Sequence, residues 1–539
     1  MEHIYKSPYE DAEEDLPNES IFDYLYKRLC QAKMEKSTKP WLIDASTGTE
    51  VPFCDIEPKS RKIASALTRL GFAKGDVLHF VTYEITQIYL VQLAVWRLGG
   101  AVRGTFQNEL PSEIARQNIE AKARFILGDE ETLPLLREAI AQLDKPIRLI
   151  VFSKNSVEGA ITFDELLNDD GSAFHENVKI DANDITFAAN TSGSTGVLKG
   201  AAHTHRSMIA LIFHKEIINY FQDTFMTPMS NFAIGAFVVT LGSIANGSLV
   251  FHLGKFERED FFNNLVKYKP ATAVMYPFVA TWFARHDKLA TTDLSFLKAI
   301  LCFGGIIDPT TMEILYQKFP NVQIKQLYGM SECAVVTNTE RVPKLVIKEN
   351  DGDQWVSSGK LTHGMLAKVV DVNTGESLGP GKRGEIRVKS AQVMKGYLSK
   401  DTLEPVQTSF DKDGWYSTGD IGFFDEDGHI FITERLSFIF KYFHTYISPT
   451  EIENVLQKHP GVIQVVVVGL HHPDCFNVAR AFVVRKGEVT EKELCDFVAE
   501  RLISYKHLHG GVRFVEKLPI TKGGKVDRAT MKKIAIEMN

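Results

Sequence analysis

The chain has 539 residues, 44% hydrophobic and 24% charged, a balance that excludes a disordered, collagen-like or coiled-coil protein and predicts more than one folded domain. Lys and Arg number 61 against 68 Asp and Glu, so the net charge is −7 and no general positive field exists to draw a nucleic-acid backbone. Six scattered cysteines with no CxxC pair argue against a disulfide framework or a structural zinc site and suit a reducing compartment.

The first twenty residues are acidic and lack the apolar core of a signal or transit peptide. Ser60 to Leu70 has apolar residues at helical spacing and stops at Gly71; Asp76 to Thr82 is a short apolar strand; Gln87 to Leu98 is again helical and ends in Gly99-Gly100. This rhythm, repeated at Pro146 to Phe152 and Thr272 to Tyr276, predicts an α/β fold with doubly wound, mainly parallel sheets. Phe232 to Phe251 is long and apolar enough to be weighed as a membrane span, but its glycines and Asn246-Gly247 favour a buried helix running into a buried strand. No transmembrane segment is expected.

Beyond about residue 433 the pattern changes. Ser448-Pro449-Thr450-Glu451 has the form of a capping box opening a helix that ends at His459-Pro460-Gly461. Val462 to Val468 and Ala481 to Arg485 follow as strands, and Thr490 caps a helix from Glu491 to Leu502. The reading is a large N-terminal region (1–433), a hinge (434–435) and a small α+β C-terminal lid (436–539). The C-terminus, IAIEMN, carries no SKL-type address, so a cytoplasmic location is expected.

Thr191-Ser192-Gly193-Ser194-Thr195-Gly196-Val197-Leu198-Lys199-Gly200 is the most informative segment. Its glycines let backbone N–H groups turn toward an anion, its hydroxyls add donors, and Lys199 adds a charge, which together suit a polyphosphate. A flexible Ser/Gly surface loop is the plain alternative; placement between a strand (Ile185 to Ala189) and a following helix favours the phosphate loop. A Walker loop fails at two positions, because Leu198 falls where its second glycine is required and Gly200 follows the lysine.

This segment, followed by Thr204-His205, resembles the signature of the adenylate-forming superfamily, which includes acyl-CoA synthetases, 4-coumarate–CoA ligases and beetle luciferases. Further motifs stand in the family's order: Gly304-Gly305, Gln326-Leu327-Tyr328-Gly329-Met330-Ser331-Glu332, Gly384-Glu385-Ile386, Tyr416-Ser417-Thr418-Gly419-Asp420, Glu434-Arg435-Leu436, Lys441 and Gly524-Lys525-Val526-Asp527-Arg528. The layout is most similar to the coumarate-ligase and luciferase branch.

The resemblance implies an acid–CoA ligase that uses ATP, Mg2+ and coenzyme A, with a small hydrophobic carboxylic acid as substrate and no nucleic-acid partner, as a monomer or weak homo-oligomer. It implies that Thr191, Ser192, Gly193, Ser194, Thr195, Gly196 and Lys199 hold the outer phosphates, that Thr195 and Glu332 place Mg2+, and that Ser331 meets the α-phosphate. Tyr328 would stack on adenine beside Gly304, Gly305, Gln326 and Gly329; Asp420 and Arg435 would hold the ribose. Lys525, with Lys441, would serve the adenylation step, after which the lid rotates to build the thioester site. Asn231, Phe232, Tyr276, Phe303 and Met330 would line the acid pocket, and Lys255, Phe443 and His444 would meet coenzyme A.

The chain also departs from the pattern. Phe443-His444 stands where relatives carry Lys-Gly, Ser437 replaces a lysine, Leu198 a proline, and Asn231 or Phe232 a common histidine; Glu434 stands where many have Asp. These departures weaken the coenzyme A half of the reading more than the adenylation half. A luciferase-like oxygenase using the same adenylate, and a non-catalytic nucleotide binder, are the competing readings.

Overall fold

The computed structural model describes residues 2–9, 16–176, 178–192, 198–213, 224–339, 346–350, 353–402, 404–443, 445–521 and 525–538, with Ser192 and Asp353 described in backbone only. Two large sheets are mainly parallel, as the β/α rhythm predicts. One runs, in order, Gly396–Tyr397, Leu198–Thr204, Ile185–Ser192, Ala101–Gly104, Val77–Val81, Phe125–Asp129, Arg148–Phe152 and Ile161–Thr162. The other runs Gln323–Gln326, Ala299–Cys302, Thr272–Met275, Phe225–Thr227, Val250–His252, Pro40–Asp44 and Glu50–Pro52. Val77–Val81 and Phe225–Thr227 each have the next two strands of their own sheet on opposite sides, so chain direction switches at both. In such sheets the crevice beyond the carboxyl ends of the strands at the switch is the natural ligand site.

The apolar stretch from 232 to 251 is a helix, Ile234–Asn246, buried nearly all round, then the buried strand Val250–His252. Gly247 closes the helix at φ +66, a left-handed conformation that glycine adopts without Cβ strain. Among the described residues no helix is long and apolar enough to cross a membrane.

A third sheet, antiparallel, was not expected: Tyr5–Lys6, Leu366–Val370, Gly384–Lys389, Tyr416–Phe424 and Ile430–Arg435, with Ser377–Leu378 at its side. Glu434 and Arg435, read as the hinge, are the end of the last strand of this sheet, Ile430–Arg435, with Arg435 directly opposite Asp420. From Phe440 onward a five-stranded sheet with its own apolar core follows, built on Ile447, Ile452, Leu456, Val467, Ala481 and Leu494.

The helix Pro449–Gln457 begins where expected, but Ser448 does not cap it through its side chain. Glu434 does so instead, its Oε2 accepting from Thr450 N at 3.0 Å and Ser448 Oγ at 2.9 Å. Glu451, expected to close the capping box, pairs with Arg383 of the large region and with Lys506, both at 2.6 Å. A desolvated ion pair and a carboxylate aimed at free helix N–H groups outweigh the local box. Thr490 and Glu493 do form a capping box, on the helix Glu491–Ala499.

Four fully buried histidines are held neutral by burial. His79 is pushed down to about 3, and His203, His205 and His252 to about 4. A depressed folded pKa means that the unfolded chain binds the extra protons first. Stability is therefore complete above the ordinary histidine pKa near 6.5 and is lost as pH falls toward 4, on the order of 3 kcal/mol for each histidine near 4. Urea midpoints should thus decline steeply between pH 6.5 and 4; a flat profile there contradicts neutral burial.

Candidate active site

Parallel strand ends deliver most of the site. Phe225–Thr227 leads into Asn231 and Phe232, Thr272–Met275 into Tyr276, Ala299–Cys302 into Phe303, Gly304 and Gly305, and Gln323–Gln326 into Tyr328 and Gly329. These residues therefore stand just beyond the carboxyl ends of parallel strands, the side of an open α/β sheet on which ligands bind. Gly304 sits at φ +89 with the Tyr276 ring only 3.1 Å from where a Cβ would be, so flat space beside this turn depends on glycine. Gly329 is required by backbone approach: a Cβ there would stand 1.8 Å from Ala334 O. That closeness folds residues 328–334 tightly, with Met330 N bonded to Ala334 O and Cys333 N to Met330 O.

The phosphate segment lies between two antiparallel strands, not between a strand and a helix. Lys199 is paired opposite Thr191 and Leu198 opposite Ser192; the helix His205–Phe213 comes only after the second strand. A hairpin tip can present consecutive N–H groups and hydroxyls without a helix terminus. Gly193, Ser194, Thr195 and Gly196 lie outside the described residues, so the metal role expected of Thr195 rests on sequence alone. Thr191 is buried at the hairpin neck, and Lys199 Nζ lies 5.0 Å from the centre of the Tyr397 ring.

The Tyr328–Glu332 loop docks against this hairpin. Ser331 Oγ donates to Asn190 O at 2.9 Å, and His203, held neutral, donates from Nε2 to Ser331 O at 2.7 Å. Glu332 is 7% exposed and its Oε1 accepts from Tyr397 Oη at 2.8 Å. Gln326 is buried and turned to protein partners: its Oε1 accepts from Ile307 N and its Nε2 donates to Ser358 Oγ.

Asp420 is the hub of the opposite wall. Its Oδ1 receives Arg435 Nη1 at 2.6 Å and its Oδ2 receives Tyr328 Oη at 2.8 Å. Burial opposes the charge on Arg435, but Asp420 beside it raises its pKa on balance. Burial first, then the Asp420 charge, pushes the Tyr328 hydroxyl well above its ordinary value, so it remains a donor. Each carboxylate oxygen keeps lone-pair capacity for a sugar diol.

Lys525 sits in a tight turn of the lid, where Thr521 N donates to Lys525 O and Lys525 N to Thr521 Oγ1. It is exposed by surface, yet the protein crowded around its ammonium lowers its pKa; Asp420 and Glu332 oppose that shift and Arg435 adds to it. Those three charges can act on Lys525 only if its turn stands near them.

A family model described as "AMP-binding enzyme" matches residues 31–398, and one described as "AMP-binding enzyme C-terminal domain" matches 451–525. The peroxisomal OPC-8:0-CoA ligase 1 of Arabidopsis thaliana is 30% identical over 505 residues, 92% of this chain and 90% of the relative. The 4-coumarate–CoA ligase 3 of Oryza sativa subsp. japonica is 29% identical over 98% of this chain and 94% of its own length. ATP-bound MatB from Rhodopseudomonas palustris superposes with a TM-score of 0.82 at 21% identity, over 97% of this chain and all of that one.

The chain belongs to the AMP-binding enzyme family. Within that AMP-binding frame, the remaining expected site residues divide. Phe303 packs at the start of the helix Ile234–Asn246, where a Cβ on Gly235 would stand 2.9 Å from its ring and 2.8 Å from Met229. Tyr276 is 6.5 Å from Phe303 between ring centres, Phe232 packs edge-on against Phe106, and Met330 is half-buried beside the same core. Burial holds the Tyr276 hydroxyl up at about 12, in keeping with an apolar wall. Asn231 is buried; its Nδ2 donates to Thr82 O at 3.1 Å and Glu84 O at 2.8 Å, tying the pocket segment to the end of Val77–Val81, and its Oδ1 has no hydrogen-bond partner among the described residues.

Three expected site residues have partners outside this cluster. Lys441 belongs to the lid sheet, its ammonium 4.7 Å from the Phe476 ring. Lys255 is exposed, paired with Glu131 at 2.8 Å and lying over the Tyr83 ring. Phe443 is 47% exposed at φ +48, in the two-residue turn between Phe440–Tyr442 and Thr445–Ile447. Such a turn favours Asn or Gly, so the aromatic residue there carries strain. His444 lies outside the described residues.

Sequence reading missed Arg103, Asn190, His203 and Tyr397. Arg103 is fully buried behind the hairpin, pairing with Glu120 at 2.6 Å and donating to Asn190 Oδ1 at 3.2 Å. Its signal was a charge inside a short apolar strand. As for a metal, Glu332 supplies a hard carboxylate oxygen of the kind that suits Mg2+.

Proposed function

We propose that this chain is an ATP-dependent, AMP-forming ligase that joins a hydrophobic carboxylic acid to coenzyme A through an acyl-adenylate. The observation that carries the reading is convergence: Asp420, Arg435, Tyr328, Glu332 and the lid's Lys525 meet on one cleft, beside the hairpin that bears Lys199.

The acid's carboxylate oxygen attacks the α-phosphorus, and the bond from that phosphorus to the β-phosphate oxygen breaks, releasing pyrophosphate. Negative charge builds around the α-phosphate, and fixed cations and N–H donors are what lower such a barrier. Lys199 and the Thr191–Thr195 segment would hold the leaving phosphates, and Lys525 would bridge the acid oxygen and the α-phosphate. Asp420, fixed from both sides by Arg435 and Tyr328, would accept the ribose hydroxyls, with the Tyr328 ring against adenine. Glu332 with Thr195 would hold Mg2+, which supplies charge neutralisation on the phosphates. In the second step the coenzyme A sulfur attacks the acyl carbonyl and AMP leaves. Met229, Phe232, Tyr276 and Phe303 favour an apolar acid, because a polar one would leave its groups unpaired against them. A cytoplasmic location remains the expectation.

The test is incubation of the purified chain with ATP, Mg2+, coenzyme A and a panel of fatty and aryl-propenoic acids, with AMP, acyl-CoA and light measured together. Acid-dependent AMP with acyl-CoA is the expected result. AMP without thioester shows that Phe443-His444 blocks the second step; photons with a luciferin favour the oxygenase; no AMP with any acid overturns the reading.

A further inference from the structure

Tyr397 touches both charged halves of the nucleotide site. It lies on the short strand Gly396–Tyr397, which pairs antiparallel with the hairpin's second strand through Ala201 and Ala202. Its backbone is fixed on the other side as well, with Tyr397 N donating to Val406 O at 3.0 Å and Val406 N to Tyr397 O at 2.7 Å. The side chain is therefore aimed by two ladders. Its hydroxyl donates to Glu332 Oε1 at 2.8 Å and lies 3.3 Å from the Tyr416 hydroxyl; its ring face carries the Lys199 ammonium at 5.0 Å.

The physical problem at this spot is mutual attraction. A lysine meant for phosphate oxygens and a carboxylate meant for a cation share one pocket, and with no ligand present they would neutralise each other. Among the described residues no ion pair joins Lys199 to Glu332. The tyrosine gives each a separate partner: a hydrogen bond for the carboxylate and a π face for the ammonium, the latter worth about 0.5–1 kcal/mol where water has access. Both holds are weak enough for a phosphate or a metal ion to displace.

We propose that Tyr397 is a positioning residue of adenylation that holds Glu332 by its hydroxyl and Lys199 by its ring, keeping the two from collapsing into an ion pair before MgATP arrives. The inference rests on the ATP-dependent reading above.

Two substitutions separate the two holds. Tyr397→Phe removes the hydroxyl and keeps the ring; Tyr397→Leu removes both and frees Lys199 to reach Glu332. The measurement is calorimetric binding of α,β-methylene-ATP to the intact chain, with and without Mg2+, alongside thermal melting to show that each variant is folded. In wild type, Mg2+ should tighten binding. In Tyr397→Phe the tightening should shrink by about tenfold, while metal-free affinity stays within about twofold. In Tyr397→Leu metal-free affinity should also fall, by about tenfold. Wild-type tightening preserved in a folded Tyr397→Phe variant overturns the proposal, as does equal metal-free loss in both variants. Failure of the wild-type chain to bind the nucleotide at all would instead sink the proposed function itself.

Discussion

Replacing Lys525 by alanine will lower acid-dependent ATP–pyrophosphate exchange by about 10²-fold or more, the scale expected for loss of a transition-state donor. The expectation rests on where the lid places the residue. The charges of Asp420, Glu332 and Arg435, which belong to the large region, act on the Lys525 ammonium, so its turn stands near them. Its lowered pKa sharpens the prediction. Crowding by protein favours the neutral amine, whereas bridging two anionic oxygens needs the ammonium; the rate should fall with rising pH through a pKa below the ordinary lysine value of 10.5. Lys525→Arg should move that alkaline limb upward while restoring part of the rate. Thioester formation from preformed acyl-adenylate should change by only a few-fold in Lys525→Ala. Exchange near the wild-type level in the alanine variant refutes the role.

Asp420→Asn will raise the KM for ATP and lower kcat/KM by roughly 10–10²-fold, because it removes a buried carboxylate and leaves the partly exposed Arg435 without its counter-charge. An asparagine offers one acceptor oxygen to two donors, Arg435 and Tyr328, and turns its own N–H groups toward one of them. Melting temperature should fall as well, since the same pair joins the strands Tyr416–Phe424 and Ile430–Arg435. Asp420→Glu, which keeps the charge, should recover part of the nucleotide affinity. An unchanged KM for ATP in Asp420→Asn would remove the ribose role.

Much of this was legible because apolar β/α periodicity is a local signal. The helices at Ile56–Arg69 and Gln87–Arg97 and the core helix Ile234–Asn246 lie close to where spacing and glycine stops predict. The ordered motifs pointed to the cleft because parallel strand ends bring distant segments together: Tyr276, Phe303 and Tyr328 are far apart in sequence and share one rim. The antiparallel sheet was missed because Gly384–Lys389 and Tyr416–Phe424 announce themselves as motifs, and a motif conceals the strand that bears it. Tyr397 was invisible because its meaning lies in Glu332, 65 residues earlier, and Lys199, nearly two hundred earlier. Tertiary competition explains Ser448 and Glu451, whose local box lost to Glu434 on one side and to Arg383 and Lys506 on the other. Asn231 was assigned by resemblance to the acid pocket; its Nδ2 is held by two backbone carbonyls, and its buried Oδ1 has no partner among the described residues.

The claim beneath every assignment is that an acid oxygen attacks the innermost phosphorus of ATP inside this cleft. The direct measurement supplies a free acid that the chain turns over, labelled with 18O in its carboxylate, withholds coenzyme A, hydrolyses the acyl-adenylate and weighs the nucleotide. One labelled oxygen in AMP, with unlabelled pyrophosphate, is the predicted result. Label in inorganic phosphate with ADP as the nucleotide product would place the attack on the terminal phosphorus and contradict the account.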